Sequence, residues 1–448
     1  MKTLAIIYEK SLQETATDLR SALQSGLIVP LRRDYQLAEL DVAGLSDRLV
    51  AEYKFAHDRI QQAVYSLISE ADRQSVHLRV GRLLLQNTSS EELSQKLFDI
   101  VNQFNKGRAL IERQIERYEL ALFNLQAGKK AKSSAAHQPA FNYLQIGLTL
   151  LNKKSWSQQY NLTLNLHLET AEAAYTIANY DEMERLAEVV LQKAQTLLDN
   201  VKVYEIKIQA YCAQMKFLEA IDIGLEVLKL LGVELPQRPN QSDLAQEMEH
   251  IKSALAGRQA QELIDLPQMT NPYTLAAMRV MNHLSSPAFI ALNQLSLLMW
   301  CRQVNLSIQY GNSGRSAFPY IGYGLILCAS GELDTGYQFG KLALKLLEQF
   351  KDRTFKAKIY AIYKGFIKHW NEPLRDTSSF CIEAYYSGIE TGDFECAASI
   401  RQSYGYALHL SVVDLLDAKK RWQKPWKLLI KLNSKHTFIG VKSLCRRS

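Results

Sequence analysis

From Asp58 onward the sequence repeats one kind of pattern. Amphipathic helices succeed one another with short polar breaks, such as Asn87-Thr-Ser-Ser90 and Lys153-Lys-Ser155, and almost no strand signal intervenes. A chain with apolar residues at helical spacing over such a length can bury them only by stacking helix on helix. The composition agrees. Only 10 Pro and 21 Gly occur in 448 residues, and these are the residues helices exclude. With 47% hydrophobic and 22% charged residues the chain is not disordered, and its length suits about three domains or one long repeat array.

A small residue followed four positions later by Leu recurs at Gly147/Leu151, Ala187/Leu191, Gly224/Leu228 and Gly340/Leu344. The steps are 40, 37 and 116 residues, the last close to three times 39. Three of these pairs follow turn-like strings, Asn179-Tyr-Asp-Glu182, Lys216-Phe-Leu-Glu219 and Gly331-Glu-Leu-Asp334. A small residue lets two helices approach, and Leu is expected to fill the groove beside it. The pattern predicts stacked helical hairpins; the alternative is an irregular helical domain with coincidental spacing. The segment from Leu266 to Pro287, with Pro267, Pro272 and Pro287, is the expected break between two lobes.

The first 70 residues read differently. Leu12, Ala16, Leu19 and Leu23 fall on one helical face, Ser11 and Glu14 have capping-box spacing, and Gly26 stands where the helix should stop. A strand is expected from Gly26 to Leu31, a partner at Tyr35–Leu37, and a further strand from Val50 to Phe55. Asp58 is then expected to cap a helix that buries Ile60, Ala63, Val64, Leu67 and Ile68. Helix, hairpin and helix make a small winged-helix-like α+β unit.

The net charge of +7 is unevenly placed. From Ala418 to the end there are ten Lys or Arg and no acid, which leaves 43 basic and 46 acidic residues in the body. That body lacks the excess a nucleic-acid-binding domain carries, so no specific nucleic-acid partner is expected. Six Cys form no CxxC pair, which argues against a disulfide framework or a structural zinc and for a reducing compartment. No signal peptide or transmembrane segment is legible. The longest uncharged stretch, Val280 to Cys301, is interrupted by Asn, Ser, Pro and Gln and reads as a buried helix pair. The expected location is cytoplasmic.

Catalytic signatures are missing. Gly336-Tyr-Gln-Phe-Gly340-Lys341 is one residue short of a phosphate loop and is followed by Leu342; Gly128-Lys129 lacks the upstream Gly; Gly322-Tyr-Gly324 lacks the third Gly of a dinucleotide fingerprint. No HExxH, GxSxG or kinase catalytic loop occurs, and the nine His are scattered, so no metal site is expected. The chain is therefore expected not to be an enzyme. One motif bears on function, Lys54-Phe-Ala-His57-Asp58-Arg59. Read structurally, His57 ends a strand and Asp58 caps a helix. Read functionally, His57 at a helix N-terminus presents a ring N–H to a phosphate.

The run Phe55-Ala-His-Asp-Arg-Ile-Gln-Gln-Ala-Val-Tyr-Ser-Leu-Ile68 resembles the end of the STAND-type AAA ATPase module of large, notably cyanobacterial, serine/threonine kinase–histidine kinase signalling proteins. So do His77-Leu-Arg-Val-Gly-Arg-Leu-Leu-Leu85, Leu97-Phe-Asp-Ile-Val-Asn-Gln103, Ala127-Gly-Lys-Lys-Ala-Lys132, Gly322-Tyr-Gly-Leu-Ile-Leu327 and Asp334-Thr-Gly-Tyr-Gln-Phe-Gly340. The resemblance spans about residues 4 to 408. It implies a mainly α, tetratricopeptide-like α-solenoid behind a winged-helix end, with residues 1–70 the ATPase end; the proline-rich break then divides the helical region into lobes 71–265 and 266–410, and the basic run makes 411–448 an expected disordered tail. It also implies that His57 senses bound nucleotide while Asp58 holds the geometry. The family's phosphate loop, magnesium-binding strand and kinase domains are absent, so no cofactor is expected unless another chain supplies an ATPase core with ATP or ADP.

The resemblance stops near Tyr406, before the tail that begins Lys419, Lys420, Arg421, Trp422 and reaches Trp426. Cations interleaved with Trp suit weak contact with polyanions or a membrane surface; a tail with no selected role is the alternative. The expected function is a non-catalytic protein-interaction and signal-coupling segment whose partner is a protein or a neighbouring signalling domain. Two alternatives are an in-trans subunit completing a separate ATPase or kinase, and a decayed gene fragment.

Overall fold

The computed structural model describes residues 2–31, 53–352, 354–372, 378–391, 396–398, 400, 401 and 404. The expected strand at Tyr35–Leu37, the residue Val50 and the whole basic tail, including Lys419, Lys420, Arg421, Trp422 and Trp426, lie outside these residues. The described chain is mainly helical and forms two compact units that divide between Gln195 and Thr196.

The first unit opens with α1 (Lys2–Tyr8) and α2 (Leu12–Gln24). The predicted capping box forms: Glu14 N donates to Ser11 Oγ at 3.2 Å, and Ser11 N donates to the Glu14 carboxylate at 2.9 Å. Gly26, at φ 66°, ends the turn after α2 as expected. β1 (Ile28–Pro30) pairs antiparallel with β2 (Tyr53–Phe55), with Ile28 opposite Phe55. α3 (Asp58–Ser66) follows, but the face expected to be its core stays in water. No residue of α3 is buried, Val64 is 45% exposed, and Leu67 just beyond it is 84% exposed. Polar contacts tie α3 to the next helix instead: Tyr65 Oη lies 2.8 Å from His77 Nε2, and Arg73 Nε donates to the Tyr65 carbonyl.

Three hairpins complete this unit: α4 (Glu70–Gln86) with α5 (Ser90–Gly107), α6 (Gln114–Ser133) with α7 (His137–Thr149), and α9 (Tyr160–Thr176) with α10 (Tyr180–Lys193). The short α8 (Ser155–Gln158) precedes α9. Between α5 and α6 the buried amides of Asn105 and Asn124 exchange hydrogen bonds of 2.8 and 2.9 Å. Each satisfies the other in an apolar setting and fixes the register of the two helices.

The second unit holds the hairpins α11 (Leu197–Ala213) with α12 (Phe217–Leu230) and α16 (Ala317–Ala329) with α17 (Leu333–Phe350). Between them run α13 (Gln241–Leu255), α14 (Pro272–Ala291) and α15 (Asn293–Tyr310); α14 and α15 are the buried pair expected from the uncharged stretch 280–301. After α17 come α18 (Lys356–Ile362), a π-helical turn Tyr363–Ile367, and α19 (Ser378–Thr391), which packs on α18. The segment read as a break between lobes is bound inside this unit. Pro272 is the first residue of α14, capped by Asn271, and Pro287 lies within α14. Asn312 N donates to the Pro267 carbonyl at 2.8 Å, and Met269 N to the Asn312 carbonyl at 2.7 Å. Gly311 makes this possible: its φ is 96°, and a Cβ there would sit 2.1 Å from the Pro267 carbonyl oxygen.

The repeat is clearest in the hairpin turns. Ala135, Ala178, Met215 and Gly331 all have left-handed backbone, with φ 55°, 59°, 60° and 93°. The next residue in each turn has nearly the same dihedrals: Ala136 (−88°, 70°), Asn179 (−89°, 72°), Lys216 (−86°, 65°) and Glu332 (−83°, 62°). Each turn also closes with the same pair of bonds. In the second, Asn179 N donates to the Ala174 carbonyl and Ala178 N to the Tyr175 carbonyl, the pairing of a Schellman motif. The same four-fold geometry rules out coincidental spacing at these turns.

The recurrent small residues lie on the second helix of each hairpin. Their role is to admit the element that follows. A Cβ on Gly147 would meet Leu166 of α9 at 2.7 Å, one on Gly224 would meet Leu284 of α14 at 2.4 Å, and one on Gly340 would meet Tyr363 at 2.9 Å. The Leu four positions on is a less regular element than expected: Leu228 is fully buried, while Leu151, Leu191 and Leu344 are half-buried. The position three residues on is buried in all four hairpins, as Leu150, Val190, Val227 and Ala343. One face of a helix takes in both i+3 and i+4, and the tighter seam runs through i+3.

Two stability changes of opposite sign follow. Leu228→Ala removes a fully buried side chain and should destabilise the second unit by about 2–5 kcal/mol in chemical denaturation. Met215→Gly relieves a left-handed backbone at an exposed side chain and should stabilise by about 1 kcal/mol. A destabilising glycine at 215 would contradict the turn geometry.

Candidate functional site

His57 lies at the junction of β2 and α3, exposed to solvent, with extended backbone (φ −148°, ψ 144°). The cap of α3 is His57 itself and not Asp58: Arg59 N donates to His57 Nδ1 at 3.2 Å. Asp58 occupies the first helical position, where a carboxylate is favoured by the helix dipole. An accepting Nδ1 places the proton of the neutral ring on Nε2. The motif therefore holds an imidazole whose inner nitrogen is committed to the backbone and whose outer nitrogen carries the N–H.

The glycines that imitate nucleotide loops have another explanation. Gly336 and Gly340 lie inside α17, Gly322 and Gly324 inside α16, and Gly128 inside α6. A Cβ on Gly336 would come 2.6 Å from the Gly324 carbonyl oxygen, and one on Gly324 would come 2.8 Å from the Gly336 carbonyl oxygen. A Cβ on Gly322 would strike the Trp300 ring at 2.4 Å, and one on Gly128 would strike Leu144. These are helix-crossing glycines, and their N–H groups serve helical bonds.

A second cluster, invisible in the sequence, lies in the second unit. Arg279, His283 and Ser286 share α14; Glu205 and Cys212 come from α11; Arg315 precedes α16; Lys358 belongs to α18. Arg279 Nε donates to Glu205 at 2.8 Å, Lys358 Nζ donates to Ser286 Oγ at 3.0 Å, and Arg315 Nε lies 3.5 Å from Asp352. The Arg315 and Lys358 cations sit 5.5 and 5.8 Å from the ring centre of Phe355, which stacks on Phe318. His283 is half-buried within the field of these cations. Burial first, then the charges of Arg315, Arg279 and Lys358, push its imidazole down to about 4. Burial raises the Glu205 carboxyl, opposed by Arg279 and Arg315.

Other groups are structural. Glu247 of α13 is buried against Arg302 at 2.5 Å and Asn305 at 2.7 Å, both on α15. Burial pushes the Cys301 thiol up to about 12 and the Cys212 thiol up to about 11, far from nucleophilic range. Among the described residues no group of His, Cys, Asp and Glu is arranged to hold a metal ion, and no helix is long and apolar enough to cross a membrane.

No family profile matches the chain. A hybrid signal transduction histidine kinase (G) from Dictyostelium discoideum is 28% identical over 390 residues, an alignment taking in 77% of this chain and 11% of that protein. The chain thus corresponds to about a tenth of the length of this curated relative. Among solved structures, a STAND protein with a tetratricopeptide repeat sensor from Pyrococcus horikoshii aligns over 97% of this chain and 61% of its own, at 11% identity and a TM-score of 0.34. At that score the likeness carries no weight for the fold, which rests on the hairpin geometry above.

Two measurements check the local chemistry. His283 is held neutral by burial, so the unfolded chain binds more protons than the folded one between about pH 6.5 and 4. Stability should fall by up to about 3 kcal/mol as pH drops through that window, and His283→Gln should remove most of that slope; His167, also depressed by burial, adds a smaller slope of the same sign. At the other motif, His57→Ala should lose the cap and speed amide exchange in α3 by an amount worth about 1 kcal/mol, while His57→Asn should restore protection.

Proposed function

We propose that the chain is a non-catalytic interaction and signal-coupling segment of a signalling ATPase–kinase. The observation that carries this reading is the alignment of most of the chain to a hybrid signal transduction histidine kinase, joined to a stack of equivalent helical hairpins. Within each unit, stacked hairpins offer a side-chain surface suited to a protein partner or a neighbouring domain. In this reading residues 1–70 are the winged-helix end of an ATPase module, and the tetratricopeptide-like hairpins behind it are the sensing region. The tail beyond residue 410 makes at most weak contact with polyanions. The segment works in the cytoplasm and needs no cofactor of its own.

His57 is the proposed nucleotide sensor, supported by its outward Nε2–H at the start of α3, and Asp58 holds the turn. These residues hold no phosphate loop, so in this reading ATP or ADP reaches His57 from an ATPase core packed on α3 and β2. The exposed apolar face of α3, with Val64 and Leu67, is where such a core would pack.

The test supplies an ATPase core. The purified chain alone should show no ATP turnover above background. A purified STAND ATPase core, of the kind that precedes this segment in the kinases it resembles, should bind the chain more tightly with ADP than with a non-hydrolysable ATP analogue. His57→Ala should erase that difference without abolishing binding, whereas Leu67→Asp should abolish binding. Turnover by the chain alone, or binding indifferent to nucleotide, contradicts the reading.

A further inference from the structure

We propose that the second unit carries a binding site for a phosphoryl-class oxyanion, formed by Arg279, Arg315, Lys358 and Ser286 around His283. The site does not depend on the ATPase reading, because all its groups come from the helices that follow Thr196.

Four observations carry it. First, cations from separate elements converge: Arg279 from α14, Arg315 from the segment before α16 and Lys358 from α18 all act on His283, while Arg315 and Lys202 act with Arg279 on Glu205. The cluster sets these four cations against two carboxylates, Glu205 and Asp352, in a body whose overall charge is close to balanced. Second, the guanidinium forks are not saturated. Arg279 spends Nε on Glu205, Arg315 points Nε at Asp352, and the Nη amines of both donate to no described residue. Those amines are the planar fork that recognises oxyanions. Third, Phe355 holds Arg315 and Lys358 over its ring and is itself stacked on Phe318 at 4.8 Å, so the cations are positioned before a ligand arrives. Fourth, Ser286 supplies a hydroxyl beside Lys358. Donors that approach from three elements suit a tetrahedral group with several charged oxygens better than one flat carboxylate, which a single fork satisfies. Glu205 and Asp352 act as internal counterions that an incoming anion must outcompete.

The test titrates inorganic pyrophosphate into the full chain at about 150 mM salt, where screening suppresses diffuse attraction by the basic tail. Calorimetry and the NMR titration of the His283 ring are the readouts. The expected result is saturable binding that raises the His283 midpoint from about 4. Arg279→Ala combined with Arg315→Ala should weaken binding by about tenfold or more. Glu205→Gln, which removes one internal counterion, should tighten it by about threefold, a gain that misfolding cannot produce. Absence of saturable binding, binding unchanged by the arginine pair, or weaker binding in Glu205→Gln would overturn the proposal.

Discussion

The packing of the helices depends on close backbone approach, as where α16 crosses α17 at Gly324 and Gly336. Neither position has room for a methyl group, since each added Cβ would fall within 2.8 Å of the opposing carbonyl oxygen. The same economy recurs in both units. Gly147, Gly224 and Gly340 give the space that Leu166, Leu284 and Tyr363 fill from the next element. Glycine inside a helix costs about 1 kcal/mol relative to alanine. The close packing it permits, with Leu166, Leu284 and Tyr363 wholly or almost wholly out of water, more than offsets that cost.

Those helices are joined by turns of one shared geometry. Four hairpins share one left-handed residue followed by one residue near φ −86°, and the same two bonds close each. Only one of the four left-handed residues is glycine. Ala135, Ala178 and Met215 hold the conformation without it, which shows that the packing of the two helices, and not the turn residue, decides the geometry.

Local signals were legible in the sequence, and distant ones were not. The capping box at Ser11 and Glu14, the stop at Gly26, the uncharged stretch 280–301 and the turn strings Asn179–Glu182, Lys216–Glu219 and Gly331–Asp334 depend on residues near one another in the chain. Their physics is contained in a short window. The left-handed Ala and Met residues carry no turn signature, so the most regular feature of the repeat passed unseen behind a less regular one, the Leu at i+4. At His57 the sequence points one residue too far, to Asp58, because Asp is the commoner cap and an imidazole that accepts through Nδ1 leaves no sequence signal of its own. The cluster of Arg279, His283, Arg315 and Lys358 joins positions that only the stacking of α11, α14 and α18 brings together. The prolines at 267, 272 and 287 suggested a break, yet they are absorbed by a helix start, a helix interior and the Gly311 contact.

The bareness of α3 makes it a segment that opens at little cost. Its helix is held to α4 by Tyr65, His77 and Arg73 and buries none of its own residues, so opening it exposes almost no new apolar surface. A protease therefore meets a hinge there that costs little to unwind, while the hairpins behind it resist. Cleavage between β2 and α4 would leave the hairpins whole and break the chain beside the motif at His57. Whatever covers Val64 and Leu67 would then act as a guard as well as a partner, and the half-life of the uncut chain would report its occupancy.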